Sequence, residues 1–201
     1  MNRNIHILSC DPCEICVPIN DIILYSGCRK SRDERLCALS EEALRELCDL
    51  VSLKAVYTEV PVKFQGDEAD FTFCRYQSTS LRKFLGGDCT AYIFAATLGL
   101  GADRLISRYS ATSPSKAVIT DGCATAFIEC WCDHICKEIF KTEAQLRFSP
   151  GYGDLPLEMQ TDILHALSAN LNIGLSMTDS FLLTPTKSVT AIVRKPDPDE
   201  I

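Results

Sequence analysis

Val56-Tyr57-Thr58-Glu59-Val60-Pro61-Val62-Lys63-Phe64, then Gln65-Gly66-Asp67 and Phe71-Thr72-Phe73, is the stretch on which the fold class turns. Val56, Thr58, Val60, Val62 and Phe64 recur at every second position, the period of a strand with one face on a core. Gln65-Gly66-Asp67 supplies a turn, so the chain is expected to return as an antiparallel hairpin through Phe71 to Phe73. Pro61 lacks an N–H for a ladder and points to an edge strand. Helices interrupt the remaining strands irregularly, so the pattern reads as α+β and not as a regular βαβ alternation.

Outward from the hairpin, Leu44, Leu47, Cys48 and Val51 repeat at helical spacing, with Ser40 as a plausible N-cap and Glu41 and Glu42 in the first turn. Ser78 or Ser80 caps a short helix carrying Leu81, Phe84 and Leu85, which Gly86-Gly87 ends. Tyr92 to Thr97 is apolar almost throughout, as suits a strand covered on both faces. Leu98-Gly99-Leu100-Gly101 then opens a helix bearing Leu105, Ile106 and Tyr109. Its two glycines lack the third glycine and the later acid of a dinucleotide-binding loop, so a tight strand-to-helix turn is the better reading.

The longest helix is expected from about Ser115 to Phe140. Ile119, Cys123, Phe127, Trp131, Ile135 and Ile139 form one apolar stripe, and Asp121, Thr125, Glu129 and Asp133 form a second on roughly the opposite face. A solvated face is the ordinary explanation of such an acidic stripe. Beyond the loop from Pro150 to Pro156, Asp154 is positioned to cap a further helix with Leu157, Leu164, Leu167 and Leu171, ending near Asn172 and Gly174. A last strand runs from Ser188 to Val193, and the tail, Lys195 to Ile201, is rich in Pro and Asp and expected to fray.

The 201 residues, 46% hydrophobic and 23% charged, have a globular composition and a length that suits one domain over residues 1 to 201. A net charge of −7 without a basic block argues against nucleic-acid and anionic-membrane binding. The longest stretch free of formal charge, Ile163 to Thr178, falls short of the roughly 18 apolar residues of a membrane span, and no apolar run follows Arg3, so a cytoplasmic protein without a secretory signal is expected. Most of the 12 cysteines read as small core residues. In the Cys-containing segment from residue 1 to residue 16, Cys10, Cys13 and Cys16 have a spacing that can hold an iron–sulfur cluster if a fourth ligand such as Cys28 completes it; reduced, partly buried thiols are the plainer reading. His6, His134 and His165 show no ligand spacing. No catalytic nucleophile or general base is visible.

The loop Arg147-Phe148-Ser149-Pro150-Gly151-Tyr152-Gly153-Asp154-Leu155-Pro156 concentrates two prolines and two glycines, which shape a backbone able to approach a ligand closely. Arg147 offers a planar fork for a carboxylate and Tyr152 a ring tipped by a hydroxyl, together a clamp for a small zwitterion. Equally, Arg147 can pair with a carboxylate of the protein and Tyr152 can pack in the core.

Arg147-x-x-Pro150-Gly151-Tyr152 resembles the signature loop of the activation domain of cobalamin-dependent methionine synthase. The order that follows also resembles it: a helix over Leu157 to Leu171, Ile173-Gly174-Leu175-Ser176-Met177-Thr178-Asp179-Ser180-Phe181, and Pro185-Thr186-Lys187-Ser188-Val189. Ile23 to Gly27, Phe94 to Gly99 and the helix around Asp121 to Glu129 are similar to short, stand-alone members. The resemblance implies a bent, mainly antiparallel sheet packed with long helices, and a task in methionine biosynthesis: reductive reactivation of inactive cob(II)alamin, with S-adenosylmethionine as methyl donor and an electron from a flavodoxin-like partner. The chain would then be a component of a methyltransferase and not a complete enzyme, docking on a separate methionine synthase or other corrinoid protein and capping its cobalamin. By the family pattern Arg147 would hold the carboxylate of S-adenosylmethionine, Tyr152 would lie near the ligand and the cobalamin face, and Pro150 and Gly151 between them are expected among the ligand-binding residues. Thr125 stands where the family carries a glutamate for the ligand's amino group; Asp121 and Glu129, one turn to either side, are the candidate replacements. Two other readings remain: a module that docks on a cobalamin protein without binding S-adenosylmethionine, and a redox or metal protein built on Cys10, Cys13 and Cys16.

Overall fold

The protein is described here by a computed structural model covering residues 4–28, 34–142 and 146–196. In chain order its elements are β1 (His6–Cys10), a 3-10 turn (Pro12–Glu14), α1 (Ile19–Tyr25), α2 (Glu34–Cys48), β2 (Leu53–Gln65), β3 (Glu68–Asp70), β4 (Arg75–Gln77), α3 (Thr79–Leu85), β5 (Cys89–Thr97), α4 (Leu100–Thr112), α5 (Pro114–His134), α6 (Met159–Ala166), α7 (Ala169–Ile173), β6 (Ser176–Met177), β7 (Leu183–Thr184) and β8 (Ser188–Arg194). The main sheet runs β4-β3-β2-β5-β8, with β1 also on β2, and β6 and β7 form a separate pair; every pairing is antiparallel. This is the expected α+β architecture.

Side chains alternate across a strand, so a sheet covered on both faces divides its apolar residues between two cores. Leu53 and Ala55 of β2, Phe94 and Ala96 of β5, and Ala191 and Val193 of β8 pack with α5. Val60 and Val62, Ile93 and Ala95, and Ile192 pack on the other side with α3, α6 and α7. That double coverage explains the unbroken apolar run in β5, where Ile93 and Phe94 are completely buried; each such side chain contributes roughly 1.5–3 kcal/mol.

The hairpin turns earlier than its sequence pattern indicates. Gln65 pairs with Glu68, so Gly66 and Asp67 alone make the turn, and the returning strand is 68–70. Phe71 to Phe73 form the next turn, in which Phe71 N–H donates to the Cys74 carbonyl. Nor does Pro61 lie on an edge strand, since β2 has β5 on one side and β1 and β3 on the other. Its partner Thr90 turns its carbonyl toward β8, accepting from Lys195 N–H at 3.0 Å. Pro61 therefore occupies a non-bonded pair, and its missing donor faces the gap between Tyr57, where β1 pairing stops, and Lys63, where β3 pairing begins.

Four helix expectations also change. Ser40 is a fully buried residue inside α2 and not its N-cap; its face of the helix is Leu36, Ser40, Ala43 and Leu47, and Leu44 and Cys48 are only half-buried. At the end of α5 the chain continues as a π-turn, Ile135–Ile139. The wider turn breaks the 3.6-residue phase, so Ile139 leaves the apolar face and Phe140 takes the core position. The segment after Pro156 splits into α6 and α7 at Ser168, whose φ is 48°, so Leu164 and Leu167 are buried while Leu171 is 87% exposed and Leu157 lies at the surface. Asp154 caps neither of these helices; it serves α3, where Ser78 is the N-cap and Gly86 the C-cap as expected. Residues 1–3 of the cysteine segment and 197–201 of the tail lie outside the described residues.

Gly122 of α5 allows α1 its close approach: an added Cβ would stand 2.2 Å from Ser26 Oγ and 2.6 Å from Ser26 N. Because backbone must yield, Gly122→Ala is expected to lose about 1–3 kcal/mol, measured by urea unfolding, even though alanine is the better helix former.

Candidate ligand-binding site

Phe148, next to Arg147, places the guanidinium. Its N–H donates to the Ile192 carbonyl at 2.9 Å and its carbonyl accepts from Ile192 N–H at 2.8 Å, adding one rung to the free edge of β8. From that anchored position Arg147 reaches α5, and its side chain is only 10% exposed. The two ends of its fork donate to Glu129 and to Asp133, which stand one turn apart. Charge-assisted, forked contacts of this kind are geometrically specific. The acidic stripe of α5 is thus no simple solvated face.

Lys187 engages the other half of the stripe. Its Nζ donates to Thr125 Oγ1 at 2.8 Å and pairs with Asp121 Oδ1 at 2.8 Å. Thr125 in turn donates to the Asp121 carbonyl at 2.9 Å, the usual i−4 contact of a helical threonine. The segment that carries Lys187 is fixed on both sides: Thr186 N–H donates to Asp103 of α4 at 2.9 Å, and Ser188 Oγ to Thr97 Oγ1 of β5 at 2.8 Å. Lys187 is the site residue that sequence reasoning passed over. Its signal was present, as the sole cation in Pro185-Thr186-Lys187-Ser188-Val189, but nothing in the sequence said that this segment faces α5.

Around Arg147 lies an open cleft of about 310 Å³. Glu129, Asp133 and Tyr152 line it, joined by Asp21 and Tyr25 from α1. Of the residues expected at the site, Arg147, Tyr152 and Glu129 come together here. Asp121 and Thr125 sit beside it along α5, held by Lys187. Pro150 is buried, and Gly151, at φ 88°, donates its N–H to the Leu155 carbonyl at 2.9 Å; both shape the loop from behind. Tyr152 does not pack in the core: it is 58% exposed, edge-on to Phe148. Burial, and then the charge of Glu129, push the Tyr25 phenol upward, so Tyr25 remains a hydrogen-bond donor. The Cys130 thiol bordering the cleft is pushed up to about 11, first by burial, and is protonated and unreactive at neutral pH.

The loop is pinned at its far end by Asp154. Its carboxylate accepts from Ser78 Oγ at 2.5 Å, from Thr79 N–H at 2.9 Å and from Ser80 N–H at 3.1 Å, while Ser78 Oγ accepts from Leu81 N–H at 3.0 Å. The side-chain and backbone donors at the start of α3 hold the Asp154 carboxyl well below the ordinary carboxylate range. Cys10, Cys13 and Cys16 show no such convergence; among the described residues no three His, Cys, Asp or Glu side chains are grouped to hold a metal ion. Among the same residues no helix is long and apolar enough to cross a membrane.

No family model and no curated protein sequence matches the chain. Solved structures do. A crystal structure of the MetH reactivation domain bound to AdoHcy superimposes with a TM-score of 0.74 at 17% identity, over 97% of this chain and 79% of that one. At that identity the likeness establishes a shared fold.

Two outcomes follow from the geometry. Arg147→Ala leaves Glu129 and Asp133 facing each other without a counter-charge and is expected to lower stability by about 1–3 kcal/mol, less at high salt, in chemical unfolding. A carboxylate whose folded pKa is depressed stabilises the fold above its unfolded pKa, near about 4, and that stability drains away as pH falls through the folded value. The melting-temperature gap between the parent and Asp154→Asn should therefore be widest at neutral pH and shrink on acidification below about pH 4; a gap constant from pH 7 to pH 3 contradicts the assigned role.

Proposed function

We propose that the chain is a reactivation component for a separate cobalamin-dependent methionine synthase or related corrinoid protein, and that it binds S-adenosylmethionine in the Arg147 cleft. The observation that carries this reading is the cleft's charge pattern, found in a fold shared with a reactivation domain crystallised with AdoHcy. Three carboxylates, from Asp21, Glu129 and Asp133, surround one guanidinium. S-adenosylmethionine has one carboxylate and two cationic centres, its ammonium and its sulfonium, so its charges are the complement of the cleft's.

Arg147 would turn one end of its fork to the ligand carboxylate while the released carboxylate of Glu129 or Asp133 takes the ammonium. The exchange breaks one charge-assisted contact within the chain and makes two to the ligand, which offsets the cost of opening the existing pair. Tyr25 and Tyr152 supply ring faces that attract a sulfonium. Tyr152, exposed at the rim, would face the partner's cobalamin. When bound, S-adenosylmethionine supplies the methyl group; the residues of this chain orient it, and the electron comes from a flavodoxin-like donor in the cytoplasm.

One observation favours a second reading, a docking module that caps the corrinoid protein without the methyl donor: both ends of the Arg147 fork and the Thr125 hydroxyl already have partners within the chain. Calorimetric titration of S-adenosylmethionine separates the two. Binding by the chain, alone or with a corrinoid partner, weakened at least about tenfold by Arg147→Ala, supports the first reading. Stable complex formation with no heat from S-adenosylmethionine under either condition selects the second.

A further inference from the structure

A second cleft, of about 570 Å³, opens where the end of the sheet meets the start of α4. It shares no lining residue with the Arg147 cleft, and its charges all have one sign. Lys54, Arg104 and Arg108 line it, and among the described residues no Asp or Glu does, in a chain whose net charge is −7. Segregation of cations in so acidic a protein focuses a positive field on one concave surface.

Two of these cations have no counter-charge among the described residues. Neither Lys54 nor Arg104 has a side-chain ion pair or hydrogen bond among the described residues. Arg108 differs: it reaches Glu46 Oε2 at 3.5 Å and lies over the Tyr109 ring at 5.3 Å. Lys54 comes from β2 and Arg104 from α4, so the two charges are presented by different elements, each set in the packed core on either side. Leu53 and Leu105, their chain neighbours, are buried at 2% exposure.

The number of charges also limits the kind of anion. A carboxylate can bridge two cations, as Glu46 does with Lys116 and Arg108, but its single charge leaves one of the pair uncompensated, whereas a phosphate carries more than one negative charge and can neutralise an ammonium and a guanidinium together. Leu100 and Gly101, the opening residues of α4, line the same cleft, and Gly99 at the N-cap provides no side chain to the first-turn amides. Leu50 and Leu100 are exposed large apolar side chains on its border, suited to an organic group carried by the phosphate.

We propose that this cleft is a second ligand site, taking a phosphorylated small molecule whose phosphate oxygens meet Lys54 and Arg104. It stands apart from the reactivation reading and uses none of that site's residues. The test is calorimetry on the full chain with inorganic pyrophosphate and with adenosine diphosphate, and with acetate as the single-carboxylate control. Saturable binding of either phosphate ligand is expected, with Lys54→Gln/Arg104→Gln at least about tenfold weaker, Arg108→Gln affected less, and Arg147→Ala unaffected. Tighter binding of adenosine diphosphate than of pyrophosphate would add the organic group to the site, and equal binding would confine recognition to the phosphates. Unchanged thermal unfolding of the double variant shows that the fold survives; should it not survive, Arg104→Gln alone carries the comparison. Absence of saturable binding by both ligands, equal binding of acetate, or affinity retained in the variants overturns the proposal.

Discussion

A guanidinium nine-tenths withdrawn from water needs carboxylates, and most of the site follows from meeting that need for Arg147. Desolvating such a charge without a partner costs several kcal/mol, so α5 must hold Glu129 and Asp133 where the fork can reach both. Their spacing of one helical turn provides two acceptors on one face. The backbone has to cooperate as well: Phe148 is tied to Ile192 by two hydrogen bonds, each worth about 1 kcal/mol, and this fixes where the Arg147 side chain begins. At the other end of the loop Asp154 ties the chain to the first turn of α3. The loop thus connects three elements, and its bends are set by those attachments.

The α5 helix is the surface on which these contacts are collected. One side of it lies in the core with Cys123, Phe127 and Trp131 buried, and the side that bears the stripe takes cations from two separate later segments. Lys187 covers Asp121 and Thr125, and Arg147 covers Glu129 and Asp133. Each cation arrives on a segment bonded to the sheet, Lys187 just ahead of β8 and Arg147 beside its free edge. The arrangement ties charge pairing to the sheet, since Phe148 beside Arg147 is bonded to Ile192 of β8 and Ser188 beside Lys187 is paired with Thr97 of β5. A ligand entering the cleft would exchange partners within an existing charge network. Its binding energy would then depend on differences between charge-assisted contacts, and not on filling an apolar cavity.

Charge is distributed unevenly over the two clefts. Carboxylates outnumber cations around Arg147, and the charged side chains among the described residues lining the cleft at the start of α4 are all cations. Glycine makes the second region possible as well as the first. At Gly101 an added Cβ would come within 1.9 Å of the Leu50 carbonyl oxygen, so α4 can begin close against the connection between α2 and β2 only because that position has no side chain. The glycine pair that superficially resembles a dinucleotide-binding loop thus serves backbone approach.

Local chemistry made much of this legible from the residues alone. Period-two alternation located β2 and β8, the apolar run located β5, Ser78 and Gly86 bounded α3, and the acidic stripe of α5 lay at its true spacing, because each of these depends on neighbours within a few residues. The features that the sequence did not reveal depend on contacts between distant segments. Pro61 sits inside the sheet because two strands share one edge of β2 and leave a gap there; Ser40 is internal because α2 buries that face; Asp154 caps a helix some 75 positions earlier in the chain. The site divides in the same way. Arg147 and Tyr152 stood out in the sequence as residue types that could hold a zwitterion, and Glu129 stood out there only as a member of the acidic stripe. That Arg147 already holds Glu129 and Asp133, and that Lys187 stands over Asp121 and Thr125, was decided by tertiary structure, since the partner of a long charged side chain is set by which element the fold brings within its reach.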